Sequence, residues 1–228
     1  MFDRLRDQFP KVAFQNCAGG GGRLDWGMMR RFDNTELSDW MRPPRGLKIL
    51  NGMTWVLPPE ILLRTFGSEV GDLAGDGDVD TQLRAALIAL PIFRGISPSL
   101  EELNPLLGSK IRHAITLYKS TFRPILTGCL VYHHTPLTPL LKASPWLVLE
   151  YTSADASRSL VTLFRTSNLG DSTYRFRPRG LDFSRNYRLS LGNSGQTVEL
   201  SGDRLLQADI PVRLEGVGTS EVLLFDRK

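Results

Sequence analysis

A thiol, an arginine and several carboxylates surround a glycine run near the start of the chain. Glycines 19–22 follow Cys17 and precede Arg23, and four acidic residues come in close succession after them: Asp25, Asp33, Glu36 and Asp39. Residues 12–17 begin with an apolar run and end in polar side chains, which predicts a buried strand that opens into a loop. The glycines indicate that something approaches the backbone closely there. Strand ends that deliver polar groups into loops are where α/β barrels place their chemistry.

Plainer explanations of these residues stay open on composition alone. Glycine runs also occur in linkers, and Asp39 could cap a helix or be a solvated carboxylate. A nucleophilic Cys17 would need a nearby histidine, but the first histidine of the sequence is His113, which argues against a thiol hydrolase. The residue types therefore leave both a functional loop and a linker possible.

The order of residues 16–25, Asn-Cys-Ala-Gly-Gly-Gly-Gly-Arg-Leu-Asp, resembles the Cys-x-Ser-Gly-Gly-Gly-Arg-x-Asp segment of glycoside hydrolase family 36, the microbial α-galactosidases. Without a gap, residues 27–31 fall where that family has Gly-Met-Leu and a variable pair, and Ser38-Asp39 fall on the Ser-Asp of its acid/base strand. Further similar positions extend over nearly the whole chain: Leu47-Lys48-Ile49, Gly52, Pro58, Tyr118-Lys119 and Ser201-Gly202.

The resemblance implies an α/β fold, in which residues 1–125 form the second half of a (β/α)8 TIM barrel. Residues 126–228 would form an all-β, antiparallel C-terminal sandwich domain. The implied activity is retaining hydrolysis of terminal α-galactosides, which uses two carboxyl groups. Asp39 would be the acid/base, and four residues would line the pocket for the terminal galactose: Cys17, Gly19, Gly20 and Arg23. The expected ligand is a galactose-terminated oligosaccharide, and neither a cofactor nor a metal is expected.

The sequence departs from the family pattern close to this site. Gln15 stands in place of a carboxylate, Gly19 in place of a serine and Glu36 in place of a tryptophan. Residues 40–42 are Trp-Met-Arg, where the family has Asn-Thr-Asp. Each change removes a group that would position sugar hydroxyls or tune the acid.

The nucleophile is the most serious difference. The Lys-x-Asp strand that carries it in the family lies upstream of the Cys-Gly segment, and no Lys-x-Asp pattern occurs in this sequence. We therefore expect a truncated, split or degenerate relative that cannot perform double displacement alone. The alternative is a non-catalytic carbohydrate-binding or structural remnant. The open sheet edge of a half barrel also predicts a homo-oligomer or a partner that supplies the missing N-terminal half.

Composition excludes several other classes of protein. The 228 residues are 41% hydrophobic with a net charge of +4, enough for one large or two modest domains. No block of lysines or arginines indicates nucleic-acid binding, and two cysteines are too few for a disulfide framework or a thiolate zinc site. The sequence has no apolar run of membrane-spanning length and no apolar core for a signal peptide near Met1, which predicts a cytoplasmic protein without membrane contact.

The predicted elements change character near Pro124. Before it, strands and helices alternate, as is typical of parallel βα units. The predicted strands there are 12–17, 34–39, 53–57 and 92–96, and the predicted helices are 2–9, 45–50, 81–90, one starting at 97, and 109–122. After it, short strands separated by turn residues indicate an antiparallel sandwich: 147–151, 159–164, 172–177, 186–191, 196–200 and 221–225.

Other candidate sites are weaker. His133 and His134 sit on a predicted strand, so their side chains point to opposite faces and do not share a metal easily. The spacing of the aspartates in residues 72–80 is similar to that in a calcium-binding loop, but no glutamate occupies the twelfth position of such a loop. Asp80 is instead the predicted N-cap of the helix 81–90.

Overall fold

The computed structural model describes residues 1–17, 19–66, 78–94, 105–207 and 209–228. The helices are α1 (Phe2–Gln8), α2 (Trp26–Met29), α3 (Arg45–Met53), α4 (Val79–Leu87), α5 (Pro105–Leu117), α6 (Arg123–Leu126) and α7 (Gly202–Gln207). The strands of the first part are β1 (Gln15–Asn16), β2 (Asn34–Glu36), β3 (Leu62–Phe66) and β4 (Leu90–Phe93). Those of the second part are β5 (Leu130–His133), β6 (Trp146–Thr152), β7 (Arg158–Arg165), β8 (Thr173–Phe176), β9 (Asn186–Leu191), β10 (Thr197–Ser201), β11 (Ile210–Arg213) and β12 (Ser220–Arg227).

The first four strands form a parallel sheet in chain order, β1-β2-β3-β4. Helices α3 and α4 connect successive strands and bury apolar side chains such as Leu47, Leu50 and Leu83. Parallel strands in sequential order, joined by helices that cover one face, are the building units of a (β/α)8 barrel.

Several predicted elements of this part are wrong. The strand predicted at 53–57 is the end of α3 followed by a turn, in which the Thr54 hydroxyl donates to the carbonyl of Leu50. The third strand is β3, beyond Pro58-Pro59, because a short apolar run does not distinguish a strand from a helix end. The N-cap of α4 is Asp78, which accepts from the backbone N–H of Thr81.

Other boundaries also shift. The strand predicted at 92–96 is β4, which begins at Leu90. A helix is predicted to start at residue 97, but residues 95–104 are not among those that the structure describes. The helix predicted at 109–122 is α5, whose last turns widen into a π-helix, Tyr118–Phe122, before α6.

The second part contains a six-stranded antiparallel sheet, in the order β10-β9-β12-β7-β6-β5, and a two-stranded sheet, β11-β8. All six strands predicted after Pro124 are present, with ends shifted by no more than a few residues. Strand β11 was not predicted, because it is short and contains Pro211, a residue that usually argues against a strand.

Two apolar cores lie on opposite faces of the six-stranded sheet. Along β6, Leu147 and Leu149 pack in the core that contains the helices of the first part. Trp146 and Val148, on the other face, pack in the core that includes Phe176 of β8 and residues of β11 and α7. The alternation along β6 follows from the two-residue period of a strand. The large sheet is therefore a middle layer, sandwiched between the helices and the small sheet.

Hydrogen bonds also connect the two parts. The hydroxyl of Thr81 in α4 lies 2.8 Å from that of Ser220, whose carbonyl accepts from Nη1 of Arg84 at 2.7 Å. The hydroxyl of Thr54 lies 3.0 Å from Nε2 of His133. In the part of the chain that the structure describes, no helix is long and apolar enough to cross a membrane.

Candidate functional site

The carboxyl ends of β1 and β2 form one rim of the parallel sheet. The two strands are parallel neighbours, with Gln15 opposite Asn34 and Asn16 opposite Thr35. Cys17 directly follows β1, and Ser38-Asp39 come shortly after β2 ends. The predicted parallel pairing is confirmed, but the strands predicted at 12–17 and 34–39 are shorter than expected, and Val12 is exposed and not buried. The pairing places the thiol and the carboxylate at the same edge, where parallel βα folds hold their sites.

The glycine loop folds back over the end of β2. Gly19, Gly20 and Gly21 all have positive φ angles, of 59°, 59° and 85°, a conformation that side-chain-bearing residues rarely adopt. A Cβ atom on Gly20 would lie 2.7 Å from the backbone nitrogen of Asp39, and one on Gly21 would lie 2.5 Å from the carbonyl oxygen of Leu37. Glycine is therefore needed for both the backbone conformation and the close approach to Asp39.

Asn16 holds the base of this loop. Its buried amide donates to the carbonyl of Arg23, at 2.8 Å, and to the hydroxyl of Thr35 on β2, at 3.1 Å. One side chain thus closes the loop onto its own far end and onto the neighbouring strand. Asp25, which follows, is the N-cap of α2, because its carboxylate accepts from the backbone N–H of Met28 at 3.0 Å.

The predicted site residues are exposed around this rim. Cys17, Gly19, Arg23 and Asp39 are exposed and Gly20 is half-buried. The structure brings Gly20 against Asp39 and places Cys17 at the end of the neighbouring strand. Arg23 is fixed near this rim through its backbone carbonyl. Their roles toward galactose stay predictions.

Glu36 lies on the inner face of the sheet, below this rim. Thr35 contacts Asn16, and Leu37 packs in the same core as Met29, so these two side chains face the helices. Because side chains alternate along a strand, Glu36 faces the other side.

The environment of Glu36 is unusual for a carboxylate. Only 3% of the residue is exposed, and Nη2 of Arg94 lies 3.6 Å from its Oε2. Burial raises the pKa of the Glu36 carboxyl; Arg94 opposes this shift and the negative charge of Asp39 adds to it. From the sequence, Glu36 was only a departure from the family pattern. Its place on a predicted parallel strand was the available signal that it is buried, because parallel sheets are usually covered on both faces.

Trp40 extends the rim on the far side of Asp39. Its indole ring is largely exposed, and the guanidinium carbon of Arg45 lies 3.8 Å from the ring centroid. The backbone N–H of Trp40 donates to the hydroxyl of Ser38 at 3.1 Å. The site therefore ends in an aromatic ring held by a cation–π contact.

The other candidate sites have structural partners. His133 stacks on Trp55 with ring centroids 4.3 Å apart, and the imidazole of half-buried His134 lies 2.7 Å from the Glu150 carboxylate. Residues 72–77 of the calcium-like segment lie outside the described residues, while Asp78 caps α4 and Asp80 pairs with Lys110 at 2.6 Å. Among the described residues, no group of three or more His, Cys, Asp or Glu is arranged to hold a metal ion.

Family models match both parts of the chain. The melibiase model matches residues 1–125, and the model of the glycosyl hydrolase family 36 C-terminal domain matches residues 146–225. The resemblance deduced from the glycine segment is therefore confirmed.

Individual relatives agree with these matches. The α-galactosidase AgaA of Geobacillus stearothermophilus is 26% identical over 92% of this chain and 27% of its own length. The α-galactosidase 2 of Hypocrea jecorina is 25% identical over 100% of this chain and 29% of its own. The chain thus spans less than one third of these relatives.

A solved structure supports the fold. The structure of a variant of the Geobacillus enzyme with raffinose superposes with a TM-score of 0.81 at 21% identity, covering 100% of this chain and 30% of that one. The expected fold class, part of a (β/α)8 barrel followed by an antiparallel β domain, is confirmed. Since the melibiase model alone matches more than half of the residues, the chain belongs to the melibiase family of glycoside hydrolase family 36.

Proposed function

We propose that this chain carries part of the galactose pocket of an α-galactosidase-like retaining glycoside hydrolase. The observation that carries the proposal is the contact between Gly20 and Asp39, which joins the family's glycine segment and its acid/base position at one rim. Asp39 would protonate the leaving glycosidic oxygen, and Cys17, Gly19, Gly20 and Arg23 would surround the terminal galactose.

The proposed ligand is a galactose-terminated oligosaccharide. Solved complexes of variants of the Geobacillus enzyme contain raffinose, stachyose or 1-deoxygalactonojirimycin. Gly19 has nothing within 4 Å of the position of a Cβ atom, which leaves room for a sugar ring to approach the backbone closely. The exposed Asp39 carboxyl can reach a bound substrate from the rim.

Chemistry on such a ligand needs a second carboxyl group. Retaining hydrolysis proceeds through a covalent intermediate formed by a nucleophilic carboxylate. Because the sequence has no Lys-x-Asp pattern, the chain supplies the acid without the family's nucleophile. This favours a second candidate function, a carbohydrate-binding remnant without turnover of its own.

The organisation of the whole protein is also proposed. We place the boundary between the barrel part and the sandwich part near residue 125, just before α6 ends. Within the described ranges β1 lies at the edge of the parallel sheet, and an uncovered edge favours association with another strand. Either a second copy or a separate N-terminal half could provide it. Cytoplasmic localisation stays a prediction.

Binding of a monosaccharide glycoside tests the proposal. We expect the purified chain to bind methyl α-galactoside in isothermal titration calorimetry and to bind its 4-epimer, methyl α-glucoside, more weakly. Failure to bind either sugar at millimolar concentration would reject both candidate functions that involve carbohydrate.

A further inference from the structure

Two neighbouring strands each hold a buried polar atom that lacks a hydrogen-bond partner. In the part of the chain that the structure describes, Oε2 of Glu36 on β2 and Oγ1 of Thr65 on β3 accept and donate no hydrogen bond. The two residues are only 3% and 8% exposed. Buried polar groups are almost always satisfied, so these two atoms are available to hydrogen-bond the hydroxyl groups of a ligand.

Both atoms face the inner side of the sheet. Glu36 is directly opposite Leu63, and paired residues of parallel strands point to the same face. Thr65 is two residues beyond Leu63, so it shares that face and lies one step closer to the carboxyl ends of the strands. The two polar side chains therefore lie just below the rim that carries Asp39.

Arg94 completes the cluster from the other side of β3. Its backbone N–H donates to the carbonyl of Phe66, at 3.0 Å, which places it at the carboxyl end of β4. Its guanidinium reaches across to Glu36 and is half exposed. The distance of 3.6 Å between Nη2 and Oε2 is longer than a hydrogen bond, so the carboxylate still has a free acceptor.

The chemistry of this cluster fits vicinal hydroxyl groups. A carboxylate accepts hydrogen bonds, a guanidinium donates them, and a hydroxyl does both. A pyranose ring offers neighbouring hydroxyls that can serve as donor and acceptor together. The family pattern has tryptophan at position 36, which can stack on a ring but cannot accept a hydrogen bond.

We propose that Glu36, Thr65 and Arg94 form a polar subsite that hydrogen-bonds hydroxyl groups of the sugar bound at the Asp39 rim. This inference rests on the proposed function, because it requires a galactoside at that rim. Glu36 would be a residue that determines specificity. A tryptophan at this position would stack on the sugar ring, whereas the Glu36 carboxylate would accept hydrogen bonds from particular hydroxyl groups.

The test compares methyl α-galactoside with its 2-, 3-, 4- and 6-deoxy derivatives by calorimetry. For the wild-type chain, loss of the hydroxyl that meets Glu36 should weaken binding by about tenfold or more, as for other charge-assisted hydrogen bonds. In Glu36→Leu that penalty should disappear, and in Glu36→Gln, which keeps one oxygen, it should shrink. Thr65→Val should reduce the penalty for the same or the adjacent hydroxyl.

The outcomes separate the two proposals. If the wild-type chain binds no galactoside, the proposed function fails and the subsite with it. If it binds galactosides but Glu36→Gln keeps the wild-type deoxy profile, the subsite is wrong while the proposed function stands. Glu199→Gln, a change at an exposed ion pair, serves as the control and should leave the profile unchanged. Should Glu36→Leu not fold, the Glu36→Gln and Thr65→Val profiles still decide the matter.

Discussion

Gly20 lies directly against Asp39, close enough that a Cβ atom on the glycine would be 2.5 Å from Cγ of the carboxylate. Their elements are parallel neighbours, and Asn16 ties the loop to both strands. The loop and the proposed acid therefore form one unit, so that a change in the loop displaces the acid.

Substitution of Gly20 by alanine tests this coupling. Gly19 has the same φ of 59° but nothing within 4 Å of its would-be Cβ atom. Gly19→Ala should therefore cost only the strain of a left-handed residue, about 1–2 kcal/mol. Gly20→Ala should cost more, because the Asp39 segment must move. Urea unfolding of the two variants measures the difference.

The amide resonances provide the second measurement for this pair. Gly20→Ala should shift the backbone amides of Asp39 and Trp40 in a two-dimensional NMR spectrum, whereas Gly19→Ala should leave them nearly unchanged. Equal stability and equal spectra for the two variants would show that Gly20 is not in close contact with Asp39.

The buried carboxyl of Glu36 predicts a pH-dependent stability. Its pKa is raised in the folded chain, mainly by burial, so between the ordinary and the raised pKa the native state binds more protons than the unfolded state. Stability from this group is therefore lost as pH rises through that window. Arg94 opposes the effect and Asp39 adds to it. Glu36→Gln should gain free energy of unfolding relative to wild type as the pH rises.

Urea unfolding of both proteins between pH 4 and 7 measures this difference. Glu199 is the matched control, since hydrogen bonding to Lys228 lowers its pKa. Glu199→Gln should show the opposite trend, losing stability relative to wild type as the pH rises. A Glu36→Gln difference that is constant over this range would contradict the raised pKa.

Substitution of the buried Glu150 should cause a large loss of stability. Its fully buried carboxylate accepts from the backbone N–H groups of Arg179 and Gly180, both at 2.9 Å, and lies 2.7 Å from Nε2 of His134. Glu150→Ala would leave these groups without that partner. We expect a loss of several kcal/mol, because each buried donor left without a partner costs about 1–3 kcal/mol.

Denaturant unfolding measures this loss, with the exposed Glu199→Ala as a comparison that should change stability little. Retention of wild-type stability in Glu150→Ala would mean that the segment around Gly180 is held by other contacts.

Catalysis should be absent in the isolated chain. With Asp39 as an acid but no Lys-x-Asp nucleophile in the sequence, we expect hydrolysis of a nitrophenyl α-galactoside no faster than in buffer. The release of nitrophenol is followed by absorbance. Turnover that disappears in Asp39→Asn would overturn this expectation and indicate that another carboxylate, such as Glu36 or Asp25, attacks.

Much of the fold follows from the sequence, because its signals are local. The antiparallel strands follow from alternation and turn residues, and strand 186–191 was predicted to the residue. The helix end near Thr54 was predicted as a strand because an apolar run shorter than two helical turns fits either element. Asp80 was predicted as the cap although Asp78 performs that role, since several aspartates precede α4.

The residues at the rim of the site could be predicted from the sequence, whereas the polar cluster below the rim could not. The glycine spacing gave the rim residues Cys17, Arg23 and Asp39, because a loop that needs several glycines is visible in the sequence. The inner cluster needed strand register, because only the pairing of β3 with its two neighbours brings Thr65 and Arg94 to the same part of the sheet as Glu36. The spacing of residues within one segment of the sequence cannot reveal a contact between Glu36 on β2 and Arg94, which directly follows β4.

NMR titration of the chain with 1-deoxygalactonojirimycin shows directly whether a galactose site lies where the glycine loop meets Asp39. We expect saturable chemical-shift changes concentrated on the backbone amides of residues 19–25 and 36–40, and their loss in Gly20→Ala. Absence of shifts at millimolar ligand, or shifts confined to a distant region such as the surface between α4 and α5, would contradict a galactose site there.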